Sequence, residues 1–535
     1  MNKVKKLSCY LECSSGCAPT VDALKKFISY LGQFGYQEFY LGLTDAYKIE
    51  GYPYFNYHRG SYSSEELLEI EAYAKAFGIQ VIPAIQVLGH LEFIWRHESF
   101  RGFMDTHSIL EVGNPKSYQF VEAMFQSISK SFVGRTIHVG MDETFGLGLG
   151  EYLNKHGLKD KKALLLEYLK EVVRIAKKYG FEIEIWGDML LDDKCTSISE
   201  KDVKKELPEH TLVWLWDYES MDEGTIQSKI DGMKSHAEEI GFAGCAWKHI
   251  SYVANNDYSI PRLIKQLEVC GENQIDKYMV TIWGDFGIPS SIFSVLPSLY
   301  VAAEANQNHP VGSKLDKKKF EEATGIGFDD LLSLDLLNNP YKHDRTKYHN
   351  NTSYIAFFSD LLLGNYDLYA SRETNAKYAS LSAKYHRIAK KATDPYFGLY
   401  FKMIGDYAKI LSVKLHLASN IRDAYERKDK VSLRALATED LSKYIKLLAS
   451  FCDSFDAYYL HENQAFGLET SELHHSHMLG RAKRLKKAIL DYVNNDVEIG
   501  EFKEKNLKSD YHPDPTEDCY LDNNFDWLVT YNTNR

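Results

Sequence analysis

From Leu7 to about Ala303 one pattern recurs: a short run of apolar, often β-branched residues, a loop, then a segment whose apolar positions return every three to four residues. The short runs predict strands from Cys9 to Glu12, Glu38 to Leu43, Ile79 to Ile85, Thr136 to Gly140, Glu182 to Trp186, Thr211 to Trp216, Phe242 to Trp247 and Tyr278 to Trp283. Helices are predicted between them, among others from Pro19 to Phe34, Lys162 to Tyr179, Glu200 to Leu207, Thr225 to Ile240, Ile260 to Cys270 and Ser291 to Ala305. Several carry their own punctuation: Gly35, Gly78 and Gly180 follow helix ends, Ser63-Ser64-Glu65-Glu66 reads as a capping box, and Asn114-Pro115 pairs a cap residue with proline in the first turn.

Eight strand–helix units in roughly 300 residues is the size of a (β/α)8 TIM barrel with loop insertions. A doubly wound open sheet would alternate in the same way, but no glycine-rich phosphate fingerprint follows the first strand. After Asn306-Gln307-Asn308-His309-Pro310-Val311-Gly312-Ser313, which reads as a linker, the alternation stops and helical periodicity takes over. Leu441, Tyr444, Ile445, Leu448, Phe451, Cys452 and Phe455 share one helix face. The expected organisation is a barrel over 1–308 followed by an α-helical domain over 309–535, helical to about Tyr492 and then a polar, aromatic tail.

Charge and composition narrow the partners. A formal net charge of −12 with no basic block argues against nucleic acid and anionic membranes. No stretch offers about 20 consecutive apolar residues, and no apolar run follows the basic start Met1-Asn2-Lys3-Val4-Lys5-Lys6. Eight cysteines spread over this length form no disulfide framework, which fits a reducing, cytoplasmic setting. Cys9, Cys13 and Cys17 are spaced three then three, unlike the radical-type cluster motif, and no cofactor or metal is expected. His474-His475-Ser476-His477 has no nearby cysteine or acidic ligand at metal spacing and is read as solvated or capping.

The chemistry concentrates at the end of the fourth strand, in His138-Val139-Gly140-Met141-Asp142-Glu143. Two adjacent carboxylates at the end of a buried strand are costly unless paired or neutralised. Strand alternation would point His138, Gly140 and Asp142 one way, with Glu143 swinging toward the same opening from the turn. Like charges held close separate their pKa values, leaving one group ionised and the other able to donate a proton.

A barrel gathers its chemistry at the carboxyl ends of its strands. Those ends hold Glu12, Asp45, His90, Asp142, Glu143, Trp186, Asp188, Trp214, Trp216, Asp217, Tyr218, Trp247, Trp283 and Asp285. Tryptophan faces stack on the C–H surface of a pyranose while carboxylates accept from its hydroxyls, so this ring of residues suits a sugar. Some of the tryptophans, Trp214 above all, could instead fill the barrel interior.

The stretch His138 to Glu143 resembles the His-x-Gly-Gly-Asp-Glu motif of the family 20 glycoside hydrolases, the β-N-acetylhexosaminidases. Tyr40-Leu41-Gly42-Leu43-Thr44-Asp45 is similar to that family's Leu-Thr-Asp second strand, and Ile82-Pro83-Ala84-Ile85-Gln86-Val87-Leu88-Gly89-His90 to its third. Trp186, Trp216 and Trp283 with Asp285 fall where the family keeps pocket tryptophans and a late Trp-x-acid pair. Glu12 stands where the family often has an arginine, and Met141 replaces the second glycine. The first strand begins almost at Met1, which resembles a shorter subgroup with a helical domain after the barrel in place of an α/β domain before it.

The resemblance implies a retaining, exo-acting hydrolase that removes terminal non-reducing β-linked N-acetylglucosamine or N-acetylgalactosamine from a glycan or glycoconjugate. The substrate's own 2-acetamido oxygen serves as nucleophile. It implies Asp142 as the ionised partner of the acetamido group and Glu143 as the acid. His138 would support the pair's hydrogen bonding, and Trp186, Trp216 and Trp283 would wall the acetamido pocket. Tyr218, or else Tyr252 or Tyr258, would donate to the acetamido carbonyl. Glu12 and Asp285 would bind ring hydroxyls, with His90 and Asp45 as outer supports, and Trp247 is expected among the substrate-binding residues from its strand end. The helical domain is the expected place for any homo-oligomer contact. A catalytically silent sugar-binding barrel, or another substrate-assisted hexosaminidase family, remains the alternative reading of the same residues.

Overall fold

The computed structural model describes residues 3–14, 16–191, 198–284, 288–308, 315–338, 346, 351–364, 372–505 and 507. Eight parallel strands close into a barrel: β1 (Lys6–Glu12), β2 (Glu38–Gly42), β3 (Gln80–Ala84), β4 (Thr136–His138), β5 (Glu182–Trp186), β6 (Leu212–Trp216), β7 (Glu239–Cys245) and β8 (Lys277–Ile282). Each strand pairs with its neighbours in sequence, and β1 pairs with β8 to complete the circle. The (β/α)8 expectation holds.

The helices start where their caps lie. Ser63 accepts from the Glu66 amide while the Glu66 carboxylate accepts from the Ser63 amide, a full capping box opening the helix Ser64–Lys75. Asn114 caps the helix Pro115–Ser131, and Asp160 caps Lys161–Lys178. Several boundaries differ from the periodicity: β1 starts three residues early at Lys6, and β4 ends at His138 rather than Gly140. The helix expected to reach Ile240 stops at His236, and β7 starts at Glu239. Gly241 belongs to that strand because the Trp214 ring packs where a Cβ would stand, 2.6 Å from Cε3.

Inside the barrel the inward residues form one cluster of Tyr10, Tyr40, Ile82, Ala84, Trp186, Trp214, Ala243 and Met279, with Leu212, Trp216 and Trp283 at its edge. Trp214 is wholly buried, and its indole N–H donates to Glu184 at 2.8 Å. It fills the barrel rather than lining an opening. Glu184 also accepts from the Tyr40 hydroxyl at 2.7 Å and from Lys277 at 2.9 Å, while Lys277 and Lys6 both reach Glu38. A buried charge set of this kind is tolerable because each carboxylate is paired and hydrogen-bonded.

The chain divides into two compact units. The first is the barrel, with Ser259–Gly284, Ser298–Leu315 and the described residues up to Ala246. The second contains Trp247–Tyr258, residues 288–297 and the described residues from 316 onward. Its long helices are Arg372–Lys391, Pro395–Lys414, Leu441–Glu462 and Leu468–Asn495. The stripe from Leu441 to Phe455 is buried at Leu441, Tyr444, Leu448, Phe451 and Phe455, with Ile445 and Cys452 at its margin. His475 is neither solvated nor capping. Its ring lies among Phe357, Phe358, Phe451 and Phe455, its Nε2 meets the Tyr252 hydroxyl at 3.1 Å, and burial pulls its pKa down to about 3. Among the described residues no helix is long and apolar enough to cross a membrane.

Candidate active site

Strand β4 is only three residues long, so alternation along it does not carry as far as Asp142. The chain leaves the sheet after His138 through left-handed backbone at Gly140 (φ 70°), Met141 (φ 74°) and Glu143 (φ 51°). Across from it, His90 is also left-handed (φ 54°). For a residue with a Cβ such a conformation costs about 1–3 kcal/mol and persists only where the surroundings impose it. Three of the eight such non-glycine residues among the described ones are His90, Met141 and Glu143. Strain is thus concentrated around the two carboxylates. Met141, in the place of a second glycine, is held there by burial of its side chain.

The space that turns the chain is made by Gln86 and Gly140. A Cβ on Gly140 would lie 1.9 Å from Gln86 Oε1. With glycine there, Gln86 Oε1 accepts from the Met141 amide at 3.4 Å and Gln86 Nε2 donates to Asp142 Oδ1 at 3.0 Å. On the other oxygen, Asp142 Oδ2 lies 3.3 Å from His90 Nε2. The same nitrogen lies 3.8 Å from Glu143 Oε2. One imidazole therefore faces both carboxylates.

The two acids differ in exposure: the Asp142 side chain is 14% exposed and that of Glu143 49%. Burial is the largest single influence on Asp142 and pushes its carboxyl upward, but the hydrogen bonds and charge from His90, with Gln86, outweigh it and hold the group below its ordinary range. His90 responds in kind: burial works against its charge, Asp142 and then Glu143 favour it, and its pKa rises to about 9. At neutral pH the arrangement is an ionised aspartate, an imidazolium, and a more exposed glutamate at the opening.

Asp188, two residues past β5, is the neighbour on the far side. Its Oδ2 accepts from the Glu143 backbone amide at 2.9 Å, and the Trp216 side chain also hydrogen-bonds the carboxyl. Burial first, and then the charge of Asp142, push Asp188 up to about 7. Asp188 stands in the ring of strand-end residues read from the sequence, two residues after Trp186, but nothing in the sequence assigns it a role; Gln86 carries no local signal.

His138 does not reach the carboxylates. Its Nδ1 accepts from the Gly140 amide at 3.1 Å, and burial lowers its pKa to about 3, so it is neutral with the hydrogen on Nε2. It fixes the turn, and its ring packs 4.5 Å from that of Trp186.

Trp186 in turn neighbours Tyr10 and Trp283, with ring centroids 6.0 and 5.8 Å apart, and is buried. Trp216 stacks on Tyr218 at 5.2 Å and 23°, and Tyr218 meets Trp283 edge-on at 6.3 Å. Burial raises the Tyr218 hydroxyl well above its usual range, keeping it a donor. Trp186, Trp283, Tyr218 and Trp216 thus form a continuous aromatic run.

Glu12 ends β1 with its carboxylate accepting from Ser14 and, at 3.3 Å, from Thr44, and its Cγ lies 3.4 Å from where Gly284 would carry a Cβ. Asp45 is buried and ion-paired with Arg59, which places it behind the opening. Three residues belong to the second unit instead. Trp247 stacks on His249 and meets Tyr258 edge-on, and the Tyr252 hydroxyl is engaged with His475. Asp285 lies outside the described residues.

Residues 36–236 match the model of the glycosyl hydrolase family 20 catalytic domain, and residues 329–520 that of the glycoside hydrolase 20C C-terminal domain. The chain is 27% identical over 212 residues to Hexosaminidase D of Bos taurus, covering 38% of this chain and 60% of that protein. It is 26% identical over 212 residues to Hexosaminidase D of Homo sapiens, covering 38% of this chain and 43% of that protein. The match thus spans less than two thirds of the length of either relative. Among solved structures, the β-N-acetylhexosaminidase of Bacteroides fragilis NCTC 9343 superposes with a TM-score of 0.49 at 19% identity, over 61% of this chain and 72% of that one.

Proposed function

For a chain that belongs to glycoside hydrolase family 20, we propose exo-acting removal of terminal, non-reducing β-linked N-acetylglucosamine or N-acetylgalactosamine, with retention, through an oxazolinium intermediate. The observation that carries this reading is the contrast between adjacent acids: Asp142 held ionised between His90 and Gln86, and Glu143 half exposed beside it. Two neighbouring carboxyls serve poorly as an ordinary retaining pair, whose groups stand about 5 Å apart across the bond. They suffice when the substrate supplies the nucleophile.

Asp142 accepts the acetamido N–H and, staying negative, stabilises the positive charge that develops as the acetamido oxygen closes on the anomeric carbon. Glu143 gives its proton to the leaving oxygen and then takes one from the water that opens the oxazolinium ring. Trp186, Trp216 and Trp283 enclose the acetamido group, and Tyr218 donates to its carbonyl. Glu12 receives ring hydroxyls. His90 holds Asp142 charged throughout. We place this activity in the cytoplasm, with support from the free thiols of Cys9, Cys13, Cys17, Cys245, Cys270 and Cys452.

The test compares leaving groups. Glu143→Gln should cut turnover of an alkyl N-acetylhexosaminide far more than that of an activated aryl one, because only the former needs full protonation. Equal losses on both would remove Glu143 as the acid. Efficient cleavage of a plain β-glucoside would remove the acetamido nucleophile.

A further inference from the structure

Beyond Glu143 the chain makes a tightly held loop. The Phe145 amide bonds back to the Glu143 carbonyl at 2.8 Å, Leu147 N–H to Thr144 O at 3.0 Å, and Leu149 N–H to Gly146 O at 3.1 Å. Asp105, itself buried, gathers the far end: its carboxylate accepts from the amides of Gly148 at 2.7 Å, Tyr152 at 2.8 Å and Gly150 at 3.2 Å. Thr144 is wholly buried, with its methyl group 2.7 Å from where a Cβ on Gly89 would stand. Leu147 is buried as well.

Against that frame, Phe145 is 54% exposed. A large apolar ring turned to water on a loop pinned on both sides is not a loose end of packing. Its place along the chain says what would cover it. On the hydrolase reading the oxygen that Glu143 protonates is bonded to the leaving group, so the leaving group lies next to Glu143. Phe145 is the first exposed side chain after the acid, one buried residue further on.

We propose that Phe145 is the platform of an acceptor subsite, stacking on the sugar ring that forms the leaving group and so selecting glycan aglycones over small ones. This rests on the hydrolase reading above. The ring's flat face suits the C–H face of a pyranose, and the pinned loop loses little further freedom when it binds.

The experiment measures kcat/KM for a β1,4-linked N-acetylglucosamine disaccharide and for methyl β-N-acetylglucosaminide. Both have poor leaving groups that need the same proton, and only one carries a ring there. Phe145→Ala should lower kcat/KM for the disaccharide by about tenfold while that for the methyl glycoside stays within about twofold. Phe145→Tyr should keep both near wild type. Equal losses on the two substrates, or no loss on the disaccharide, would overturn the assignment. A wild-type chain inert on both would instead sink the hydrolase reading itself.

Discussion

Asp188 accepts the backbone N–H of Glu143 at 2.9 Å, so a carboxyl from the end of β5 holds the main chain of the residue that ends the acid pair. Because burial, and then Asp142's charge, raise Asp188 to about 7, this support changes character within the physiological range.

Replacing Asp188 with Asn keeps an acceptor for the Glu143 amide and removes the titration. The expected result is retained activity with loss of an inflection near pH 7 in kcat/KM. Asp188→Ala, which removes the acceptor of this exposed hydrogen bond, should lower kcat/KM severalfold, in line with about 0.5–1.5 kcal/mol for one hydrogen bond. The stability trend has a definite sign. The folded chain keeps a proton on Asp188 that the unfolded chain releases near its ordinary value of about 4, so Asp188 erodes stability as pH rises from about 4 to about 7. The Asn variant should show a flatter unfolding profile across that window.

His90 acts in the same direction at higher pH. Its folded pKa of about 9 exceeds the ordinary value of about 6.5, so its contribution is complete below about 6.5 and lost as pH rises through about 9. Asp142 is held below its ordinary range, so its contribution is complete above about 4 and lost as pH falls through its lowered value. Both act in full between about 4 and 6.5. His90→Gln should lower kcat/KM by about a hundredfold, remove the fall near pH 9 and move the acid limb upward, as Asp142 loses its counter-charge. pH–rate profiles of the two proteins, with thermal unfolding at pH 5.5 and 9.5, test this.

Gly140→Ala should be among the costliest single-methyl additions to the barrel. The new Cβ meets Gln86 at 1.9 Å on a backbone that disfavours any side chain, so a loss of about 2–4 kcal/mol in unfolding free energy is expected, and Gln86 must leave Asp142. Gln86→Ala separates the effects. It should reproduce the upward shift of the acid limb with a smaller loss of stability, and an unshifted limb in both variants would show that Gln86 does not help keep Asp142 ionised.

Much of the barrel is written locally. Apolar runs of four to seven residues, glycines past helix ends, and caps at Ser63 and Asn114 are nearest-neighbour signals, and the strands and helices appear close to where those signals lie. The acid pair was legible for the same reason: two carboxylates beside a buried strand need an explanation that the sequence itself poses.

What only the tertiary structure decided is which partners answer those charges. Strand alternation could not deliver Asp142 to the opening, because β4 ends at His138 and a left-handed turn takes over, shaped by Gln86 from 54 residues earlier in the chain. Likewise Trp214 and Trp216 are two residues apart on one strand, yet one is sealed against Glu184 and the other stacks on Tyr218. Local sequence determines which residues have a polar or apolar demand. Closing the barrel brings distant strands within a few ångströms, and that proximity alone sets burial, counter-ions and hence the proton each group carries.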